Sequence, residues 1–178
     1  TPAEIGVSCA MGADAVMVES QTAQFAPPDI QQPVLSRIDS SEWVGATGQF
    51  FTERTGGSDL GGLETTATPG DGDAWVLNGF KWFSSNCDGE AFVVLAKPIG
   101  APDGVKGNTP FLVLKQRRDG SRNGIHIRQL KSKMGTHAVA SGEVEFRDAE
   151  AFMLSGVPSN GDGSPSDGKG MARLMAMT

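Results

Sequence analysis

The sequence predicts a mainly β fold, a barrel of six to seven short strands flanked by N-terminal helices and a truncated C-terminal helix. Three observations point to it. The 178 residues include 24 glycines and 10 prolines, which demand many turns. From Trp43 onward the apolar residues come in runs of strand length separated by turn signals. One of these runs, Ala91–Ala96, is continuously apolar, as suits a strand buried on both faces.

The elements follow in order. Pro2–Ser20 reads as a helix, with Ile5, Cys9, Ala13, Val16 and Met17 on one face, and Ala26-Pro27-Pro28 closes it. Pro33–Ser40 predicts a second, shorter helix. The strands are expected at Val44–Thr52, Leu63–Thr68, Ala74–Ser84, Ala91–Ala96, Thr109–Gln116, Ile125–Leu130 and Val139–Phe146. Asp71-Gly72-Asp73 makes the second and third a hairpin. Arg117–Gly124 is a charged turn. In the last strand Val139, Ser141, Glu143 and Glu145 alternate with Ala140, Val144 and Phe146, predicting one wet and one dry face. Ser155–Gly168 is a low-complexity, flexible excursion, and Lys169–Thr178 reads as the opening of a helix. The chain therefore divides into 1–42 (end of a helical domain), 43–155 (barrel), 156–168 (insertion) and 169–178 (start of a further helical domain), and reads as a fragment.

Composition excludes several classes of function. No apolar run approaches the roughly 20 residues of a spanning helix. The net charge of −6 argues against a nucleic-acid surface on this segment. Two cysteines, Cys9 and Cys87, make no disulfide framework and point to a reducing, cytoplasmic setting. There is no phosphate loop, dinucleotide fingerprint, zinc-protease helix or nucleophile elbow. His126, between Ile125 and Ile127, reads as a strand-surface histidine rather than a catalytic one.

Two polar clusters remain at strand ends. Phe51-Thr52-Glu53-Arg54-Thr55-Gly56-Gly57-Ser58-Asp59 sets paired glycines among hydroxyls, which suits an anion, although composition alone favours an ordinary polar turn. Lys81-Trp82-Phe83-Ser84-Ser85-Asn86-Cys87 leads two aromatics into two hydroxyls. That pattern suits a planar heteroaromatic ring, or equally a core aromatic with a second covering a barrel end.

Together and in this order the clusters resemble the middle β-domain of acyl-CoA dehydrogenases. Members carry a T-E-x-x-x-G-S-D segment followed by K-x-W-[IS]-[TS]-N. Val76-Leu77-Asn78-Gly79, Leu130-Lys131-Ser132-Lys133-Met134-Gly135 and Val144-Glu145-Phe146-Arg147-Asp148-Ala149 are similar to further family elements. Lys81-Trp82-Phe83, Arg54-Thr55-Gly56-Gly57 and Ala140-Ser141-Gly142-Glu143-Val144-Glu145-Phe146 lean toward the branch typified by the bacterial DNA-alkylation-response flavoprotein. Arg54 replaces the usual proline, and Phe83 stands where the family has tryptophan.

The resemblance implies an FAD site and an oxidoreductase acting on the CH–CH bond of an acyl-CoA. Gln49 and Phe51 would lie on the strand beside the flavin, Thr52 would hydrogen-bond the ring, and Gly57 and Ser58 would meet the pyrophosphate. Phe83 would pack on the isoalloxazine, with Ser84 and Ser85 along its N5 edge, and Ser58 would also approach the acyl-CoA. The resemblance places the catalytic glutamate in a C-terminal domain outside this chain and assigns Glu53 to the loop. It further implies a homodimer or homotetramer. Two other readings stay open: a stress-response flavoprotein with DNA association and weak dehydrogenase chemistry, and a cofactor-free barrel that serves as an interaction module.

Overall fold

The computed structural model describes residues 13–40, 47–134 and 139–154. The predicted helix before residue 13, Trp43 to Ala46, the insertion at 156–168 and the helix at 169–178 lie outside the described residues.

Two helices precede the sheet: α1 (Ala13–Phe25) and α2 (Pro28–Asp39). Helix α2 begins five residues earlier than expected. Pro28 occupies its first turn, where a missing N–H costs nothing, and Pro33 falls inside the helix. The inward face of α1 also differs from the predicted stripe. Met17 does pack on the apolar cluster, but Val16 is 59% exposed, while Val18, Gln21 and Thr22 are buried. The layer under α1 selects Val18, a rotation that a stripe drawn from Ile5 and Cys9 does not anticipate.

The seven strands are β1 (Thr47–Phe50), β2 (Thr66–Pro69), β3 (Ala74–Ser85), β4 (Ala91–Pro98), β5 (Thr109–Leu114), β6 (Ile125–Leu130) and β7 (Ser141–Met153). Strands β4, β2, β3, β7 and β5 close into a barrel through the β4–β5 pairing. Strand β1 adds in parallel to β4, and β6 adds to β7. The β2–β3 hairpin turns where predicted, with Gly72 at φ +64° and the Gly70 N–H donating to the Ala74 carbonyl.

Strand β4 organises the core. Phe92, Val94 and Ala96 face the barrel interior with Phe50, Leu77, Phe111 and Phe146. Ala91, Val93 and Leu95 face the layer beneath the helices with Val18, Ile30, Val34 and Phe152. All six residues are at most 1% exposed. Burial of this kind is worth about 1.5–3 kcal/mol for each large apolar side chain.

Strand β7 corrects the sequence reading twice. It runs on to Met153, because its second half pairs with β5 as well as β3. The face expected to be wet is not wet at its start: Ser141 and Glu143 are each 4% exposed. Lysine side chains reaching over from the segment after β6 cover them.

Candidate functional site

The two polar clusters, about 30 residues apart in sequence, form one corner of the barrel. Beyond β1 the chain continues alongside the end of β3, where the Trp82 N–H donates to the Thr52 carbonyl at 2.9 Å. Just past the end of β3, Asn86, at φ +56°, donates its side-chain amide to the Thr47 carbonyl at 2.7 Å. Gly48 makes the approach possible, since a Cβ there would lie 2.8 Å from the Ser85 carbonyl oxygen.

The corner is held by a buried ion pair. Lys81 is fully buried, and its Nζ lies 2.6 Å from Glu53 Oε1. The same carboxylate accepts the N–H groups of Glu64 at 2.6 Å and Thr65 at 3.1 Å, and the Thr65 hydroxyl. One side chain thus fastens both ends of the loop between residues 53 and 65. Burial pushes the Lys81 ammonium down to about 8, with Glu53 opposing the shift. Burial acts upward on Glu53, but the Lys81 charge and the hydrogen bonds outweigh it and hold the carboxyl below its ordinary value. The pair is ionised at neutral pH.

The predicted site residues fall around this clamp. Gln49 and Phe51 are half-buried, and Phe51 packs on the cluster beneath the helices. Thr52 is half-buried, and Gly57 and Ser58 are exposed on the loop. A Cβ on Gly57 would come within 3.3 Å of the Thr52 methyl. Phe83 is 46% exposed, a large ring facing outward at the edge of the corner. Ser85 is half-buried, with its Oγ 3.1 Å from Ser141 Oγ. Ser84 is fully buried, so it offers no surface to a ligand in this conformation, and its Oγ has no hydrogen-bond partner among the described residues.

Several neighbours escape a reading of the sequence. Two cations lie against the Trp82 ring, with Arg54 4.4 Å from its centroid and Lys131 Nζ 2.9 Å from it. Glu143 joins the two, at 2.7 Å from Lys131 and 4.0 Å from Arg54. The Lys131 hydrogen bond holds the Glu143 carboxyl below its ordinary value. A cavity of about 730 Å³ opens beside this group, lined by Arg54, Phe80, Arg128, Glu143 and Arg147 among others. Lys81 itself had a visible signal, a lone cation inside an otherwise uncharged strand. Lys133 and Ser141 had none, because it takes the β3–β7 pairing to set Ser141 opposite Ser85 and the end of β6 against β7 to bring Lys133 to Ser141.

Among the described residues no group of His, Cys, Asp and Glu has the geometry to hold a metal ion. His126 is exposed on β6, as expected, and Cys87 is buried. No helix among them is long and apolar enough to cross a membrane.

Known proteins share this fold. The sequence profile of the acyl-CoA dehydrogenase middle domain matches residues 48–149. Acyl-CoA dehydrogenase family member 11 of Caenorhabditis elegans is 38% identical over 114 residues, covering 61% of this chain and 18% of its own length. AidB of Escherichia coli, of the alkylation-response branch that the motifs favoured, is 38% identical over 107 residues, covering 60% and 19%. The chain thus spans about a fifth of the length of these relatives. The crystal structure of C. elegans ACDH-11 in complex with C11-CoA superposes with a TM-score of 0.74 at 29% identity, over 96% of this chain and 28% of that one. Butyryl-CoA dehydrogenase of Megasphaera elsdenii, at 23% identity and a TM-score of 0.73 over 97% and 41% of the two chains, shows the same fold. With its barrel, its paired motifs and these relatives in agreement, the chain belongs to the acyl-CoA dehydrogenase family, through that family's middle β-domain.

Proposed function

We propose that this chain is the flavin platform of an FAD-dependent acyl-CoA dehydrogenase-like oxidoreductase. The observation that carries the reading is the outward-facing Phe83 ring, two residues from Ser85 on the end of β3 to which the chain at Thr52 is hydrogen-bonded. An apolar ring face next to hydrogen-bonding edges fits an isoalloxazine, which needs both stacking and in-plane partners. The close fit of Gly57 against Thr52 leaves a loop surface without side chain for a pyrophosphate. FAD, when bound, supplies the two-electron acceptor for α,β-dehydrogenation of an acyl-CoA.

The chain's own residues then have separable tasks. Gln49 and Phe51 shape the strand beside the ring, Thr52 and Ser85 orient it, and Phe83 covers one face. Gly57 and Ser58 receive the pyrophosphate, and Ser58 also borders the acyl-CoA. Ser84, buried inside the barrel, has no direct part in holding the ring in this conformation. The Glu53–Lys81 clamp fixes the loop that carries Ser58, so Glu53 works as a structural residue and not as the α-proton base. We read residues 43–155 as the domain, within a cytoplasmic homo-oligomer.

The test is Ser58→Ala/Phe83→Ala in the full-length protein, with bound FAD quantified after purification. Loss of FAD from a folded variant is expected, and stoichiometric FAD would overturn the site. The branch match also favours a stress-response role with DNA association and weak turnover. The arginine turn gives no support for DNA contact here, because Arg118 is engaged by Asp29 and Asp73 at 3.0 and 2.8 Å. DNA binding that disappears in Arg117→Ala/Arg118→Ala/Arg122→Ala would reverse that judgement.

A further inference from the structure

We infer that Lys133 is a positioning residue that fixes the direction of the Ser85 hydroxyl through Ser141, making Ser85 a hydrogen-bond donor at the barrel edge. The inference rests on the flavin reading above and adds to it two residues to which the motifs assign no role.

The Lys133 ammonium lies 2.9 Å from Ser141 Oγ and 2.7 Å from the Val139 carbonyl oxygen. An ammonium has three protons to donate and no lone pair to accept with, so Ser141 Oγ is the acceptor in its contact. Ser141 is 4% exposed, and among the described residues the oxygen within reach of its single proton is Ser85 Oγ, at 3.1 Å. Ser85 therefore accepts from Ser141, and its own proton is left for a group outside the chain. Without the lysine, either serine could donate to the other.

Charge strengthens the effect. Lys131, two residues earlier, is paired with Glu143 at 2.7 Å. Lys133 contacts only neutral oxygens among the described residues, so its charge polarises the hydroxyl chain instead of being cancelled locally. A polarised donor suits an electron-rich acceptor atom at the edge of a heteroaromatic ring, and withdraws electron density from that ring. Ser85 sits beside Phe83, the ring proposed to cover the isoalloxazine.

The test uses the full-length holoprotein and three variants: Lys133→Met, Ser141→Ala and Lys133→Arg. Bound FAD is quantified first, and the equilibrium between oxidised and reduced bound FAD is then measured against a reference dye. FAD is expected to stay bound, with the equilibrium shifted about tenfold toward the oxidised form in Lys133→Met and Ser141→Ala. Lys133→Arg, which keeps the charge and the donors, is expected to restore it. An unchanged equilibrium in flavin-loaded Lys133→Met or Ser141→Ala would overturn the inference while leaving the flavin site standing. Wild-type protein that holds no FAD would overturn both. If Lys133→Met fails to fold, Ser141→Ala and Lys133→Arg decide the matter.

Discussion

Strand β4 and the corner at Glu53–Lys81 are both sealed from water, and they are sealed by opposite means. In β4, Phe92, Val94, Leu95 and their neighbours are held by apolar burial on two faces. In the corner, a buried lysine and carboxylate hold each other and the two ends of a loop. Apolar burial is non-directional, so β4 stabilises the barrel without choosing where any loop goes. The ion pair contributes little net energy, because desolvation offsets its attraction, but it has one geometry. The corner gains a fixed loop position where the sequence places its candidate ligand residues, at the cost of sensitivity to the loss of either partner.

The contrast can be broken most sharply at the lysine. Lys81→Met leaves the Glu53 carboxylate buried without its counter-charge, and a loss of about 3–5 kcal/mol is expected in urea unfolding. Lys81→Met/Glu53→Gln should recover most of that loss, which no second change could do if Lys81 were only filling space. Leu95→Ala should cost about 2–5 kcal/mol by transfer and cavity terms, with no rescue by a charge change.

The pH dependence separates the two regions further. Glu53 is held below its ordinary value of 4.5 in the folded protein, so its contribution is present above that value and is lost as pH falls through the folded one. Lys81 is depressed from 10.5 to about 8, so between these values the unfolded chain binds more protons. Stability should therefore rise with pH across that window. Both trends should vanish in Lys81→Met/Glu53→Gln, whereas Leu95→Ala should run parallel to wild type at every pH. The smallest effect is expected at Arg118→Ala. Its bridges to Asp29 and Asp73 tie α2 and the β2–β3 hairpin to the β5–β6 turn but remain partly exposed, so a thermal-unfolding loss below about 1 kcal/mol is expected.

How much of this was legible depends on the kind of force involved. The run Ala91–Ala96 announced β4 because a strand buried on both faces must be apolar throughout. The Asp71-Gly72-Asp73 hairpin was legible because turn chemistry is local. The two site clusters were legible as motifs, but their meeting depends on Gly48 lying against Ser85, a long-range fact. Periodicity does not give the inward face of α1 or the far half of β7, because packing partners set them. Glu143 looked solvated because its cover, Lys131, belongs to another part of the chain. The Lys133–Ser141–Ser85 chain could not have been found at all without the fold.

The central claim is that the ring of Phe83 lies under a flavin. Hydroxyl-radical footprinting of the full-length protein with and without FAD tests it directly, with Ile99, 63% exposed after β4, as an internal reference. The account predicts that FAD strongly protects Phe83 while Ile99 keeps its reactivity. Stoichiometric FAD binding that leaves Phe83 as reactive as before would contradict it.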